Sequence, residues 1–164
     1  MNLNTETIIR LRDALIQSGQ VAVQSNVTVT TEARSSAALK RFAPFAETMY
    51  LMMMVDGDAD KLELDVIRGA ISILTDGLLG NESLDEIFCR CAEVATNHGV
   101  EQRLQSIGAH LSADKMDRET AFTLAAAVAI ADNEVAEEEA ALVRLIAEWY
   151  GISERRCEEI LQHI

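Results

Sequence analysis

Ala129-Ile130-Ala131-Asp132-Asn133-Glu134-Val135-Ala136-Glu137-Glu138-Glu139-Ala140-Ala141-Leu142 decides the reading of this chain, because its pattern occurs twice. Shifted back by 76 residues it becomes Met53-Met54-Val55-Asp56-Gly57-Asp58-Ala59-Asp60-Lys61-Leu62-Glu63-Leu64-Asp65-Val66, with Asp56 over Asp132, Asp58 over Glu134 and Glu63 over Glu139. In both copies an apolar run ends in an acidic elbow and an amphipathic run begins. A pattern of this length used twice points to one structural unit repeated.

Upstream of the first elbow, Phe45, Met49, Met52 and Met53 recur at helical spacing while Tyr50, Leu51, Met54 and Val55 fill the other face. The spacing predicts a central helix covered on nearly all sides. Pro44 suits its first turn, where a missing amide hydrogen has no partner to lose. The methionines read as gap-filling core rather than as a soft-metal site. Upstream of the second elbow, residues 118–131 form the counterpart, with Phe122, Leu124 and small alanines that let neighbouring helices approach closely.

Downstream, Leu64, Ile67, Ile71 and Leu74 form an apolar stripe, and Leu142, Leu145, Ile146 and Trp149 form the equivalent one. A glycine-rich turn over residues 76–81 follows the first stripe. Ser83 then suits the cap of a helix over residues 84–98, closed by Gly99, with His98 in its last turn. Leu104, Ile107 and Leu111 mark a shorter helix, and Asp114 or Asp117 caps the next. Tyr150-Gly151-Ile152-Ser153 breaks the second stripe, and Ser153 caps a last helix whose Cys157, Ile160, Leu161 and Ile164 face inward. Leu84-Asp85-Glu86-Ile87-Phe88 matches Cys157-Glu158-Glu159-Ile160-Leu161 at an offset of 73, so three extra residues sit in the turn of the first half.

The fold class that follows is all-α: a compact bundle of about seven to eight helices built from two pseudo-repeated halves, about residues 43–98 and 116–164 of a domain spanning 43–164. Residues 1–42 stand before it as an N-terminal helix plus a connector. Ile8, Leu11 and Leu15 give that helix an apolar face, Arg10 and Arg12 a basic one, and Gly19 closes it. Residues 20–36 read as a Ser/Thr/Asn-rich connector, since Val21, Val23, Val27 and Val29 alternate as a strand would but find no partner run.

Composition agrees with helices. Hydrophobic residues make up 49% of the chain and aromatic ones only 4%, so the core must be built from Ala, Leu, Ile, Val and Met. A net charge of -13 argues against nucleic acid as a partner, because little basic surface remains to neutralise phosphates. The charge is lopsided: residues 1–44 hold the acids Glu6, Asp13 and Glu32 against the bases Arg10, Arg12, Arg34, Lys40 and Arg41. Cys89, Cys91 and Cys157 are an odd set with no signal peptide ahead of them, which suits a reducing, cytoplasmic setting. All three read as small buried or half-buried residues. The run 42–55 is too short to span a membrane and is interrupted by Glu47, so no direct membrane insertion is expected.

The elbows carry the candidate chemistry. Asp56, Asp58, Asp60 and Glu63 offer hard oxygen ligands within eight residues, and Asp132, Glu134, Glu138 and Glu139 offer a second set; calcium, magnesium or manganese would suit either. The start Asp56-Gly57-Asp58-Ala59-Asp60 resembles an EF-hand loop, but position twelve falls on Ile67, which excludes that reading. A purely structural role stands beside the metal one: Asp60 capping the next helix with Glu63 completing a capping box, and the glutamates after the second elbow favouring a helix N-terminus. Nothing near these acids supplies a nucleophile, a phosphate cradle or a histidine, since His98, His110 and His163 lie elsewhere, so no enzyme and no organic cofactor is expected.

At these residues the chain resembles the TerB-like family, named for a protein of bacterial tellurite-resistance clusters. The resemblance rests on Val55-Asp56-Gly57-Asp58 with Glu63, and on Ile130-Ala131-Asp132-Asn133-Glu134 with Glu138-Glu139, Leu142-Val143-Arg144-Leu145 and Tyr150-Gly151-Ile152-Ser153. It covers roughly residues 43–164. Val55 stands where the family has alanine and Asn133 where it has glycine, a position asparagine can also serve. The resemblance implies a cytoplasmic stress-response protein of the tellurite-resistance type, with acidic residues binding a divalent metal ion. Its implied partners are proteins, membrane-associated stress complexes among them; apart from the resemblance, the methionine-rich helix or the N-terminal arm could aid a homodimer. The alternative is a helical adaptor whose acidic surface holds a basic protein partner without metal.

Overall fold

The computed structural model describes residues 3–17, 31–56, 61–131 and 137–164, and the side chains of 3–17, 36–55, 61–131 and 140–164. Among the described residues the chain forms eight α-helices and no strand. They are α1 (Thr5–Gln17), α2 (Thr31–Met53), α3 (Lys61–Leu74), α4 (Asn81–His98), α5 (Val100–Leu111), α6 (Lys115–Ile130), α7 (Glu137–Trp149) and α8 (Glu154–Leu161). The all-α bundle expected from the hydrophobic periodicity is the fold observed.

Among the described residues α2 and α6 make the most extensive helix contact. Residues 45–53 of α2 and 120–129 of α6 are all buried, including positions that point away from each other. A helix covered around its whole circumference must be wrapped by others. α4, α3 and α5 cover α2, while α7, α5, α1 and α8 cover α6. Phe45, Met49, Leu51, Phe122 and Leu124 lie in this interior. Each such side chain contributes about 1.5–3 kcal/mol of burial free energy. The aromatic pairs are few: Phe42 meets Phe45 edge-on, and Tyr50 stacks on Phe88 with ring centroids 5.1 Å apart, joining α2 to α4.

The order central helix, amphipathic helix, third helix recurs as α2-α3-α4 and α6-α7-α8, with α5 between. The packing is less alike than the order. α4 lies broadly on α2, whereas the eight-residue α8 touches α6 and α7 only lightly. α1 packs on α3 and reaches α6, so the N-terminal helix belongs to the same body.

Several local expectations are corrected. α2 begins at Thr31, so residues 31–36 are helical rather than part of the connector, and Pro44 lies well inside the helix instead of in its first turn. The ring costs one backbone hydrogen bond to the Lys40 carbonyl. Burial of the flanking turns outweighs that loss. The remainder of the expected connector, residues 20–30, lies outside the described residues. α4 starts three residues before the expected Leu84, after Gly80 with no side-chain cap, which leaves Ser83 in its first turn. Asp114 caps α6, its carboxylate accepting from the amides of Met116 and Asp117, so Asp117 is freed for another partner.

On α7 the inward stripe is Leu142, Val143, Ile146 and Ala147; Leu145 is turned outward and 37% exposed. Cys91 and Cys157 are buried as expected, but Cys89 is exposed, as its position two residues from a buried neighbour on a helix requires. Gly99 separates α4 from α5 with a positive φ of 91°, which lets the chain turn between them at one residue.

α5 and α7 meet at Gly108. A Cβ there would lie 2.6 Å from the Tyr150 ring and 2.7 Å from the Trp149 carbonyl oxygen. Gly108→Ala must push the two helices apart and is expected to destabilise the protein by about 1–3 kcal/mol in urea unfolding. The same substitution at Gly69, whose Cβ would meet nothing within 4 Å, should be neutral or slightly stabilising.

Candidate functional site

Both elbows issue from the ends of the central helices. α2 passes into a 3-10 turn, Met54–Asp56, and α3 opens at Lys61 with Glu63 in its first turn. Glu63 is half-buried and engaged with neighbours. α6 ends at Ile130, Ala131 closes it by donating its amide to the Val128 carbonyl, and α7 opens at Glu137. Asp58, Asp60, Asp132 and Glu134 lie outside the described residues. Asp56 is described by its backbone alone, as the last residue of the 3-10 turn, and Glu138 and Glu139 by theirs in the first turn of α7. Among the described residues no three His, Cys, Asp or Glu side chains gather to hold a metal ion.

The described polar groups of the interior hold the two central helices in place. Arg41 of α2 pairs in bidentate fashion with Asp117 of α6, which is 5% exposed, and its guanidinium lies over the Phe45 ring at 5.8 Å. Glu47 of α2 is buried and receives Arg103 of α5 through two nitrogens on one oxygen, Nε at 2.7 Å. Thr48 donates its only hydroxyl hydrogen to the Pro44 carbonyl at 2.7 Å. The 2.8 Å contact between Thr48 Oγ1 and the Tyr150 hydroxyl is therefore donated by tyrosine. Three positions of α2, residues 41, 47 and 48, thus reach α6, α5 and the residue that follows α7.

These groups set the chemistry of their neighbours. Burial pushes the Cys91 thiol up to about 12; the Glu47 charge adds to the shift and Arg103 partly offsets it. Burial also raises the Tyr150 phenol above its ordinary range, with the Thr48 contact opposing. Both stay protonated and neutral at physiological pH, so neither serves as a nucleophile or an anionic ligand.

Reading the sequence singled out the elbows and missed these staples. One signal was available: Glu47 interrupts an apolar run, and a carboxylate on a fully covered helix must find a cation or give up its charge. No sequence spacing says which cation, because Arg103 is 56 residues away. Arg103→Met should leave Glu47 buried without its partner and lower stability by about 3–5 kcal/mol in urea unfolding. Adding Glu47→Leu to that variant should restore most of the loss; a double variant no more stable than the single one would mean that the carboxylate is not the cause.

A family model described as Tellurite resistance protein TerB matches residues 43–162, from the middle of α2 to just beyond α8. No curated protein and no solved structure matches the chain. The match takes in both elbows and both central buried runs and covers well over half of the sequence: the chain belongs to the TerB family of tellurite-resistance proteins.

Proposed function

We propose that this protein binds a divalent cation, calcium, magnesium or manganese, through the carboxylates of its two elbows, and that it does so as a non-enzymatic component of a tellurite-resistance-type stress response. Asp56, Asp58, Asp60 and Glu63 would supply oxygens from the first elbow, and Asp132, Glu134, Glu138 and Glu139 from the second. All are hard donors, which suits these ions and not a thiolate-seeking metal.

The observation that carries the reading is the common register of the central helices. Moved by 76 residues, the buried run 45–53 falls on 121–129, and the ion pair Arg41–Asp117 joins residues at that same spacing. On the C-terminal side of this pair both helices run into an unbroken buried stretch, 45–53 and 120–129. We infer that α2 and α6 run in the same sense from it, so that the C-terminal ends of the two helices, which lead into the elbows, lie on one side of the bundle. A cation there would offset the mutual repulsion of two acidic corners, and would act as a link between halves rather than as a catalyst. A cytoplasmic setting and association with membrane-bound stress complexes belong to the same proposal; among the described residues no helix is long and apolar enough to cross a membrane.

A second reading is favoured by Leu62, which is 72% exposed beside Glu63 at the start of α3. An apolar side chain standing among acids suits a basic amphipathic segment of a partner protein, bound without metal.

Thermal unfolding with each ion and with chelator separates the two. A cation at a hundredfold excess over its Kd adds about 2.7 kcal/mol, a rise of roughly 5–10 °C for a chain of this size. The rise should vanish in Asp56→Asn and in Asp132→Asn alike. No shift with any of the three ions would leave the metal-free adaptor standing.

A further inference from the structure

On a chain this acidic, the described clefts are lined by more cations than acids, and one of them holds an excess of two. It lies where the turn between α7 and α8 meets the start of α6, encloses about 330 Å³, and is lined by Lys115, Arg118, Arg155 and Arg156 against two carboxylates, Glu119 and Glu159. We propose that this cleft binds a dianionic phosphate group.

The two acids are already occupied. Arg156 grips both, Nη2 on Glu119 at 2.7 Å and Nη1 on Glu159 at 3.1 Å. Lys115 approaches Glu119 at 3.5 Å, and Arg155 Nε approaches Glu159 at 3.0 Å. Although burial works to raise the Glu119 pKa, Arg156 and then Lys115 outweigh it and hold the carboxyl below its ordinary range, so it stays charged and paired. Two positive charges remain, which matches a phosphate dianion and leaves a monocarboxylate one charge short.

Arg118 is the anchor. Its Nη1 donates to the carbonyl oxygens of Tyr150 at 3.1 Å and Gly151 at 3.2 Å, and among the described residues no carboxylate pairs with it. The fold positions this guanidinium with backbone acceptors, which fix its place without cancelling its charge. Gly151 makes room: its φ is +65°, and a Cβ would stand 2.7 Å from Arg118 Nη1. A tetrahedral oxyanion brings several acceptors at once, in the geometry that a guanidinium fork reads. A second cleft shares Arg156 and Glu159 and continues past Leu11, Ile160 and Ile164. It offers an apolar seat for the body of a phosphate ester.

The test is titration of the isotope-labelled full chain by NMR with inorganic phosphate, then with phenyl phosphate, against sodium chloride at matched ionic strength. Saturable shifts around residues 151–156 are expected with phosphate and not with chloride. Arg155→Gln, at a side chain that is 90% exposed, should weaken binding about threefold without altering the melting temperature, and Arg118→Gln about tenfold or more. Tighter binding of phenyl phosphate would identify an organic phosphate as the source, and equal binding a free anion. Shifts that never saturate, that chloride reproduces, or that persist unchanged in Arg155→Gln and Arg118→Gln would overturn the proposal.

Discussion

Everything in this fold depends on two helices that are buried around their whole circumference. An ordinary surface helix can turn its polar residues to water; α2 over residues 45–53 and α6 over residues 120–129 cannot. Each polar group near these runs must be matched by another helix or left unsatisfied, at about 1–3 kcal/mol for a neutral group and more for a charge. That demand explains why the long-range polar contacts concentrate where they do. Asp117 is met by Arg41, Glu47 by Arg103, and Thr48 by Tyr150. Thr123 satisfies itself on the Glu119 carbonyl one turn back, while the Thr120 hydroxyl alone among the buried threonines finds no partner.

The pairs contribute more to specificity than to stability. A buried ion pair roughly breaks even against an apolar pair of the same volume, but a mismatched one is severely penalised. Alanine and methionine surfaces slide easily, since many registers of small or flexible side chains bury similar area. α6 is rich in alanine and α2 in methionine. Without fixed points the two could pack in several ways. Arg41 on Asp117 pins α2 to α6, and Glu47 on Arg103 pins it to α5. Gly108 adds a steric condition to these electrostatic ones, because only a residue without a side chain admits the Trp149 and Tyr150 backbone and ring so close to α5.

How much of this was legible beforehand follows from the range of the interactions. The covered runs, the stripes of α3 and α5, the glycine stop at Gly99 and the Ser153 cap are local in sequence, and periodicity or a single side chain reveals them. The errors also have local causes. Pro44 is normally a helix starter, and only the burial on both sides of it, a tertiary effect, keeps α2 running through it. Leu145 and Val143 are both apolar and two residues apart, so pattern alone could not say which faces inward on α7; proximity to α5 and α6 decides for Val143. The staples and the basic cleft join residues 32 to 102 apart, and although Arg41 and Asp117 stand at the 76-residue offset of the repeat, that offset does not say that the two side chains meet. Net charge concealed the cleft outright, since a sum of -13 says nothing of where four cations meet.

An interior whose charged groups are matched by partners constrains where function can lie. Glu47, Asp117 and Tyr150 cannot take up a ligand without first abandoning the contact that holds a helix, and the raised Cys91 and Tyr150 pKa values keep those groups neutral. The ends of the rods, where the chain leaves the core and helix termini leave backbone groups unpaired, are free of that constraint. The two ends that carry charge do so with opposite sign. The acidic elbows follow the C-terminal ends of α2 and α6, and the basic cleft sits at the start of α6, where the α7–α8 turn returns to it. α6 joins the two, and its register against α2 is marked by a bidentate ion pair as well as by packing. α6 thus begins at a basic cleft and leads into an acidic stretch of sequence, with the Arg41–Asp117 pair near its start.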